Sequence, residues 1–256
     1  MIIAVSDVHL GYKACNKEAF KNFIEKVCES LGTDDHLVLV GDVLDFWRRN
    51  NVTVALENQD ILLELQSLKA KVHYVIGNHD YLILSLAGKL GESYPFKVSK
   101  NVRLCDAGKW FYFTHGYELE VLANLEPMTV EAYEKLSEYL CQMTEAFLGR
   151  ALSDLWRVLQ SIKVKFKKAR NIIKGPERRG GMDRVEALAR SEVKRLFLGL
   201  MKDDVLVFGH THRPFIDEDK KVANTGSWVS EAAEQNTYIT IENGKENGKM
   251  ALKKFS

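Results

Sequence analysis

"VIGNHDYL" (75–82) is the stretch on which the reading of this chain turns. An apolar run stops at Gly77 and is followed by three adjacent polar side chains, Asn78, His79 and Asp80. Turn chemistry would account for Gly-Asn, and Asp80 could cap the helical pattern that comes next. On this stretch alone that reading and a functional one are evenly matched, so the rest of the chain decides.

The pattern recurs. "AVSDVH" (4–9) places Asp7 and His9 just past an apolar run, and "LVGDVLD" (39–45) does the same for Asp42 and Asp45. "FYFTHG" (111–116) adds His115, and "VFGHTH" (207–212) adds His210 and His212. Five of the seven histidines thus stand at the ends of strand-like runs. A single strand-end Asp is more often a cap than a ligand, but His does little for a turn and neutral imidazole is a common metal ligand. Ligands in open α/β sheets bind outside the carboxyl ends of strands, so the clusters are expected to converge. Gathered away from water, so many carboxylates and imidazoles would be costly without cations to compensate them. Oxygen and nitrogen donors without thiolate suit Mn, Fe, Zn or Mg, with Mn taken first. The donors suffice for two divalent metal ions sharing a carboxylate, an arrangement that clamps both oxygens of a phosphoryl displacement.

Around these motifs the periodicity describes an α/β chain. "MIIAV" (1–5), "HLVLV" (36–40) and "KVHYVI" (71–76) read as strands. Between them lie a helix from an Asn16 cap to Leu31 and another over roughly 52–69. After residue 95 come short strands, "PFKVS", "VRLC" and "KWFYFTH". Residues 117–200 turn to helix-forming sequence, and strands return with "VLVFG", "FIDED", "KVAN", "YITIE" and "MALKKF". This reads as a β-rich body of one domain, 1–256, with a helical insertion at 117–200. The length of 256 residues is at the upper end for one domain. With 46% hydrophobic and 28% charged residues the composition is that of a soluble globular protein. Cys15, Cys28, Cys105 and Cys141 form no CxxC pair, so neither a disulfide framework nor a cysteine zinc site is indicated. The candidate chemistry begins within the first seven residues, leaving no room for a signal peptide, and no apolar run approaches a membrane span. A cytoplasmic protein is expected.

The ordered series DxH, GDxxD, GNHD, a lone strand-end His and GHTH resembles the calcineurin-like metallophosphoesterase family. The resemblance implies a four-layer αββα sandwich, two mixed β-sheets flanked by helices. It implies a hydrolase that cleaves a phosphodiester or pyrophosphate bond by metal-activated water. Carried over by position, Asp7, His9 and His212 resemble the ligands of one ion, Asp42 the bridging carboxylate, and Asn78, His115 and His210 the ligands of the second. His79 is left over to face the substrate, donating to a phosphoryl oxygen or protonating the leaving group. Asp80 would orient the His79 ring or cap the following helix. Asp45 fills the family pattern and either contributes to the site or supports its loop. Asn224 is placed to support the site, while His36 and His73 are read as structural or exposed. For Trp47, edge packing is weighed above substrate contact.

Within the family, "GDVLDFW" and the insertion directly after "THG" are similar to the UDP-diacylglucosamine pyrophosphohydrolases of lipid A synthesis, whose helical lid receives acyl chains. Arg stands in that group where this chain has His79, so a related hydrolase of another nucleotide- or lipid-linked pyrophosphate is expected. Apolar positions in the insertion, among them Leu119, Val121, Leu122, Leu125, Met128, Leu148, Leu152, Leu155 and Trp156, would line a lid groove or pack on the body. The stretch 163–195 is rich in Lys and Arg, although the whole chain carries a formal net charge of only +1. It is either a solvated face or a surface for a polyphosphate substrate, nucleic acid backbone or anionic lipid head groups, the last of which would bring the protein to the inner face of the membrane. No aromatic-interleaved patch or recognition helix favours nucleic acid. A nuclease of the same fold and a non-catalytic scaffold are the rival readings.

Overall fold

The structure, a computed structural model, describes residues 1–125, 127–142, 181–242 and 248–256. Side chains that alternate along each strand divide it into layers. In β1 (Ile2–Val5), Ile2 and Ala4 join one core cluster, and Ile3 and Val5 another. β2 (His36–Val40) divides likewise, with Val38 and Val40 on one side and Leu37 and Leu39 on the other. β7 (Val205–Phe208) gives Val205 and Val207 to the first cluster, and Leu206 and Phe208 to a third. The first cluster therefore lies between two sheets, and the other two lie on their outer faces.

The first sheet has six strands. β1, β2, β3 (Lys71–Val75) and β4 (Lys97–Ser99) run parallel in that order. β10 (Thr237–Glu242) pairs antiparallel with β1, and β11 (Lys249–Lys254) closes the edge. The crossovers place α1 (Lys17–Lys26), α2 (Asn51–Glu57), α3 (Gln59–Ser67) and α4 (Leu82–Leu90) on its outer face. Five strands form the second sheet, in the order β5 (Asn101–Asp106), β6 (Lys109–Thr114), β7, β9 (Val222–Asn224) and β8 (Phe215–Asp217). β6, β7 and β9 are parallel. Leu119 of α5 (Tyr117–Asn124) and Val185 and Ala189 of the helix Gly181–Arg190 cover its outer face. These four layers are the expected αββα sandwich, and every strand expected from the sequence forms.

Two helices depart from expectation. The helix expected to reach Leu31 ends at Lys26, and a 3-10 turn over Cys28–Ser30 keeps Cys28 and Leu31 in the same core cluster. Asn16 does not cap it with its side chain, which is instead bonded to Gln235 and Asn236. The helix expected over 52–69 is two helices broken at Asn58, whose amide donates to Val54 O at 2.7 Å in competition with the backbone pattern.

The described part of residues 117–200 packs on the sheets and helices already named. Leu119 is fully buried, Val121 is 2% exposed, and Leu125 and Met128 lie against the outer core of the first sheet. Leu122 is the exposed member of that set. Leu148, Leu152, Leu155, Trp156 and the basic residues from 163 to 179 lie outside the described residues. Of the basic residues beyond them, Lys194 is buried on Lys220 O, Arg190 pairs with Glu186 and Asp217, and Arg195 pairs with Glu192. No described helix is long and apolar enough to cross a membrane.

His36, the first residue of β2, and His73, in the middle of β3, bond to each other (Nδ1 to Nε2, 2.8 Å). Burial, reinforced by His36, Lys97 and Lys71, pushes His73 down to about 4. Its folded value thus lies below the unfolded one, so the unfolded chain takes the proton first. Stability present above pH 6.5 is lost as pH falls towards 4. His73→Leu should remove about 2 kcal/mol of the wild-type loss between pH 7.5 and pH 5. Denaturant unfolding of both proteins at the two pH values checks this, and parallel losses would refute it.

Candidate metal centre

Because β1, β2 and β3 are parallel, as are β6 and β7, their carboxyl ends deliver the motifs to one edge of the sandwich. The connecting loops are knit before any side chain is considered. Asp7 N–H donates to Gly41 O (3.0 Å), His9 N–H to Asp42 O (2.9 Å) and Gly209 N–H to His115 O (3.0 Å). Approach is so close at two glycines that a Cβ would not fit. At Gly77 it would strike Asp42 Oδ1, and at Gly209 both Ser6 Oγ and Asp7 Oδ2. Eight non-glycine residues among those described have positive φ, and five of them are motif residues: Asp7 (53°), His9 (54°), Asp42 (53°), His210 (66°) and His212 (57°). Left-handed backbone at such residues is costly, and its clustering marks a functional site.

The side chains form two donor sets. In the first, His212 Nε2 lies 3.2 Å and His9 Nε2 3.8 Å from Asp7 Oδ1, with the two imidazole nitrogens 3.4 Å apart. In the second, His115 Nε2 lies 3.2 Å from Asp42 Oδ2 and 3.3 Å from His210 Nδ1. Asp42 Oδ2 is also 3.8 Å from His9 Nε2, so one carboxylate oxygen faces both sets. Within each set the three donor atoms lie within 4.8 Å of one another. Asp7 Oδ1 and Asn78 Oδ1 are buried without a hydrogen-bond partner. The other oxygen of Asp7 accepts from Ser6 Oγ and from His210 N–H, the latter at 2.8 Å.

The tautomers complete the picture. His115 Nδ1 faces Val40 O at 2.9 Å, and a carbonyl can only accept, so the proton sits there. His9 Nδ1 faces Asp45 Oδ2 at 3.2 Å and is protonated for the same reason. Both rings therefore turn Nε2 towards carboxylate oxygens, a contact that calls for positive charge, either a proton on Nε2 or a cation in its place. Burial opposes charge on His9, but the hydrogen bond to Asp45 and the neighbouring carboxylates of Asp7 and Asp42 push it up to about 10. His115 is likewise raised to about 10 against burial by Asp42 and Asp7. Burial would raise Asp7 and Asp42, yet His212 and His115 hold Asp7 well below the carboxylate range, and His115 and His79 lower Asp42. The centre is thus built to hold positive charge. Orphaned buried oxygens and inward-facing imidazole nitrogens fit divalent cations, which would displace the Nε2 protons and compensate the carboxylates in one act.

Around the donors, Asp45 supports two rings. Its Oδ1 lies 3.1 Å from His79 Nδ1, and its Oδ2 binds His9 Nδ1 and Arg48. His9, Asp45 and His79 have metal-ligand spacing too, but their Nδ1 contacts are hydrogen bonds within that triangle. The His79 side chain is 12% exposed and stacks on Trp47, centroids 4.3 Å apart. Burial lowers its pKa despite Asp42 and Asp45. A cavity of about 380 Å³ opens beside His9, His210 and His212, walled in part by Tyr12, Arg48 and Arg213. Asn224 donates to Gly209 O (2.6 Å) and Thr211 Oγ1 (3.2 Å), bracing the GHTH turn as expected.

Asp80 does neither of the things expected of it. α4 has no side-chain cap bond, and the His79 ring is oriented by Asp45. The carboxylate of Asp80 instead accepts from Gly77 N–H (2.6 Å), Val43 N–H (2.8 Å), Leu44 N–H (3.4 Å) and Tyr74 OH (2.8 Å), binding the β2 and β3 loops together. Sequence reasoning missed Glu120, whose Oε2 lies 2.6 Å from His210 Nε2. It carries no local signal, since acidic residues are common in a first helical turn.

The donor sets gathered at the carboxyl edge of this sandwich are candidate metal-ligand groups. Residues 1–214 match the family described as calcineurin-like phosphoesterase, and the chain belongs to that family. No curated protein matches it. Among solved structures it is similar to a dimetal phosphatase from Danio rerio, at 12% identity and a TM-score of 0.45 over 100% of this chain and 98% of that one. It is also similar to Vps29 complexed with Zn²⁺ from Entamoeba histolytica, at 13% identity and 0.42 over 100% and 99%. A conserved uncharacterized protein from Streptococcus pneumoniae matches at 13% identity and 0.38 over 98% and 87%.

Asp80→Ala should leave three backbone donors and the Tyr74 hydroxyl buried without an acceptor. Stability should fall by about 3 kcal/mol or more in denaturant unfolding. Unchanged stability with slowed turnover would instead assign Asp80 to the chemistry.

Proposed function

We propose that this protein is a dinuclear metal-dependent hydrolase of a phosphodiester or pyrophosphate bond in a nucleotide- or lipid-linked substrate. The observation that carries this reading is the pair of donor sets facing one oxygen of Asp42. Asp7, His9 and His212 would hold one ion, Asn78, His115 and His210 the other, and Asp42 both. When bound, two such ions activate water as a nucleophile and offset charge on the phosphoryl oxygens. Mn is the metal we favour, for the mixed oxygen and imidazole donors.

His79 is the residue we assign to the substrate. Asp45 takes its Nδ1–H, which leaves Nε2 as the nitrogen available to a phosphoryl or leaving-group oxygen. Donation from Nε2 requires the ring to carry both protons, and Asp45 together with an anionic substrate favours that state. Trp47 and Asp45 keep the ring from turning away. Arg48 and Arg213 on the cavity wall are suited to the remaining phosphate charge. The insertion 117–200 is assigned to the same domain, and its position beside His115 and His210 suits discrimination among bulky substrates.

Purified protein under saturating Mn²⁺ should contain two ions per chain by metal analysis, and chelation should abolish hydrolysis of a chromogenic phosphodiester. One ion or none would overturn the dinuclear reading. Asp42→Ala should lose both metal and activity. His79→Ala should retain the metal and lose roughly 10²-fold in kcat, the usual worth of one such group. Loss of metal in His79→Ala would make it a ligand and overturn this division of roles.

A further inference from the structure

We infer that Glu120, on the first helix of the insertion, is a positioning residue of the metal centre that selects the metal-ligating tautomer of His210. The inference rests on the dinuclear reading above and extends it to a residue outside every motif. α5 has two acidic residues in its first turn, Glu118 and Glu120. Glu118 turns back on the helix start, accepting from Thr114 Oγ1 at 2.9 Å and Gly116 N–H at 3.2 Å. Glu120 turns the other way, its Oε2 2.6 Å from His210 Nε2, and the His210 side chain is only 7% exposed.

Placement of one proton is what matters. His210 Nδ1 lies 3.3 Å from His115 Nε2, whose ring has its own proton held by Val40 O. With both rings neutral, as ligation requires, and nothing opposite Nε2, His210 would satisfy that contact by carrying its proton on Nδ1 and donating to His115. Two ligand lone pairs would then be spent on each other. A carboxylate at Nε2 reverses the preference: it draws the proton to Nε2 and leaves Nδ1 as a lone pair beside those of His115 and Asp42. Carboxylate partners of ligating histidines fix tautomer and ring orientation, and their loss typically costs 10- to 100-fold in metal affinity. The insertion therefore contributes to the centre at its root, through Glu120 as well as through packing.

The test is Mn²⁺ binding by calorimetry and metal analysis on the wild type, E120L and E120Q, with thermal unfolding of each metal-free protein. E120L removes the acceptor at similar size, whereas E120Q keeps an acceptor oxygen without the charge. The expected result is that E120L binds one of its two ions roughly 10- to 100-fold more weakly. The other ion and the metal-free melting temperature should stay as in the wild type, and E120Q should fall between. Unchanged binding of both ions in E120L would overturn the inference. Equal weakening of both, with a lowered metal-free melting temperature, would overturn it too, by making Glu120 merely structural. A wild type that binds fewer than two ions would instead overturn the dinuclear reading.

Discussion

Asp42 is the residue on which the two halves of the site depend. Its backbone oxygen takes the His9 N–H, its Oδ1 takes the His79 N–H, and its Oδ2 faces His9 on one side and His115 on the other. The loops from β1, β2 and β3 are thus fastened to one residue before any ion arrives. A group so placed is fully surrounded by protein and must stay ionised, which neighbouring positive charge permits and burial alone would not. Asp80 performs the matching task beneath it with neutral hydrogen-bond donors only, and burial and the nearby Asp42 raise it to about 6.

Strain in this edge of the sandwich is considerable. Five motif residues adopt left-handed backbone, each costing on the order of 1–3 kcal/mol. Glycine at 77 and 209 is needed because neighbouring loops pass through the space of a side chain. The rigid part of the molecule offsets this. Between the sheets, Phe111, Phe113, Val38, Val40, Val205 and Val207 are buried, and Trp228 packs on Phe20 and Phe23 just beyond the loop that braces Asp7. Site loops carried on such a core can hold conformations that isolated turns would abandon.

The helices after His115 look like an appendage in the sequence and are partly a structural layer. Leu119, Val185 and Ala189 cover Leu206, Phe208 and Val222, so the second sheet would expose its outer face without them. Glu120 stands one residue beyond Leu119, on the same helix that seals this layer. Packing of the helix and placement of its carboxylate are therefore coupled, and the site inherits its geometry from the outermost layer of the fold.

Local sequence determined the strands, the polar residues at their ends and the chemistry those residues could support. Short apolar runs bounded by turn residues mark strands whatever they pack against, so eleven strands were legible, whereas the sandwich was implied only by the resemblance that the ordered motifs carry. Asp7, His9, Asp42, Asn78, His115, His210 and His212 were legible for a related reason, since parallel strands deliver their carboxyl ends to one edge. Tertiary structure alone decided how the supporting side chains are paired. Asp45 reaches back 36 positions to His9, and Glu120 forward 90 to His210. Asp80 turns 37 positions back to Val43 rather than to its neighbour. Which way a polar side chain turns depends on the donors and acceptors that distant loops bring beside it. No periodicity along the chain records that.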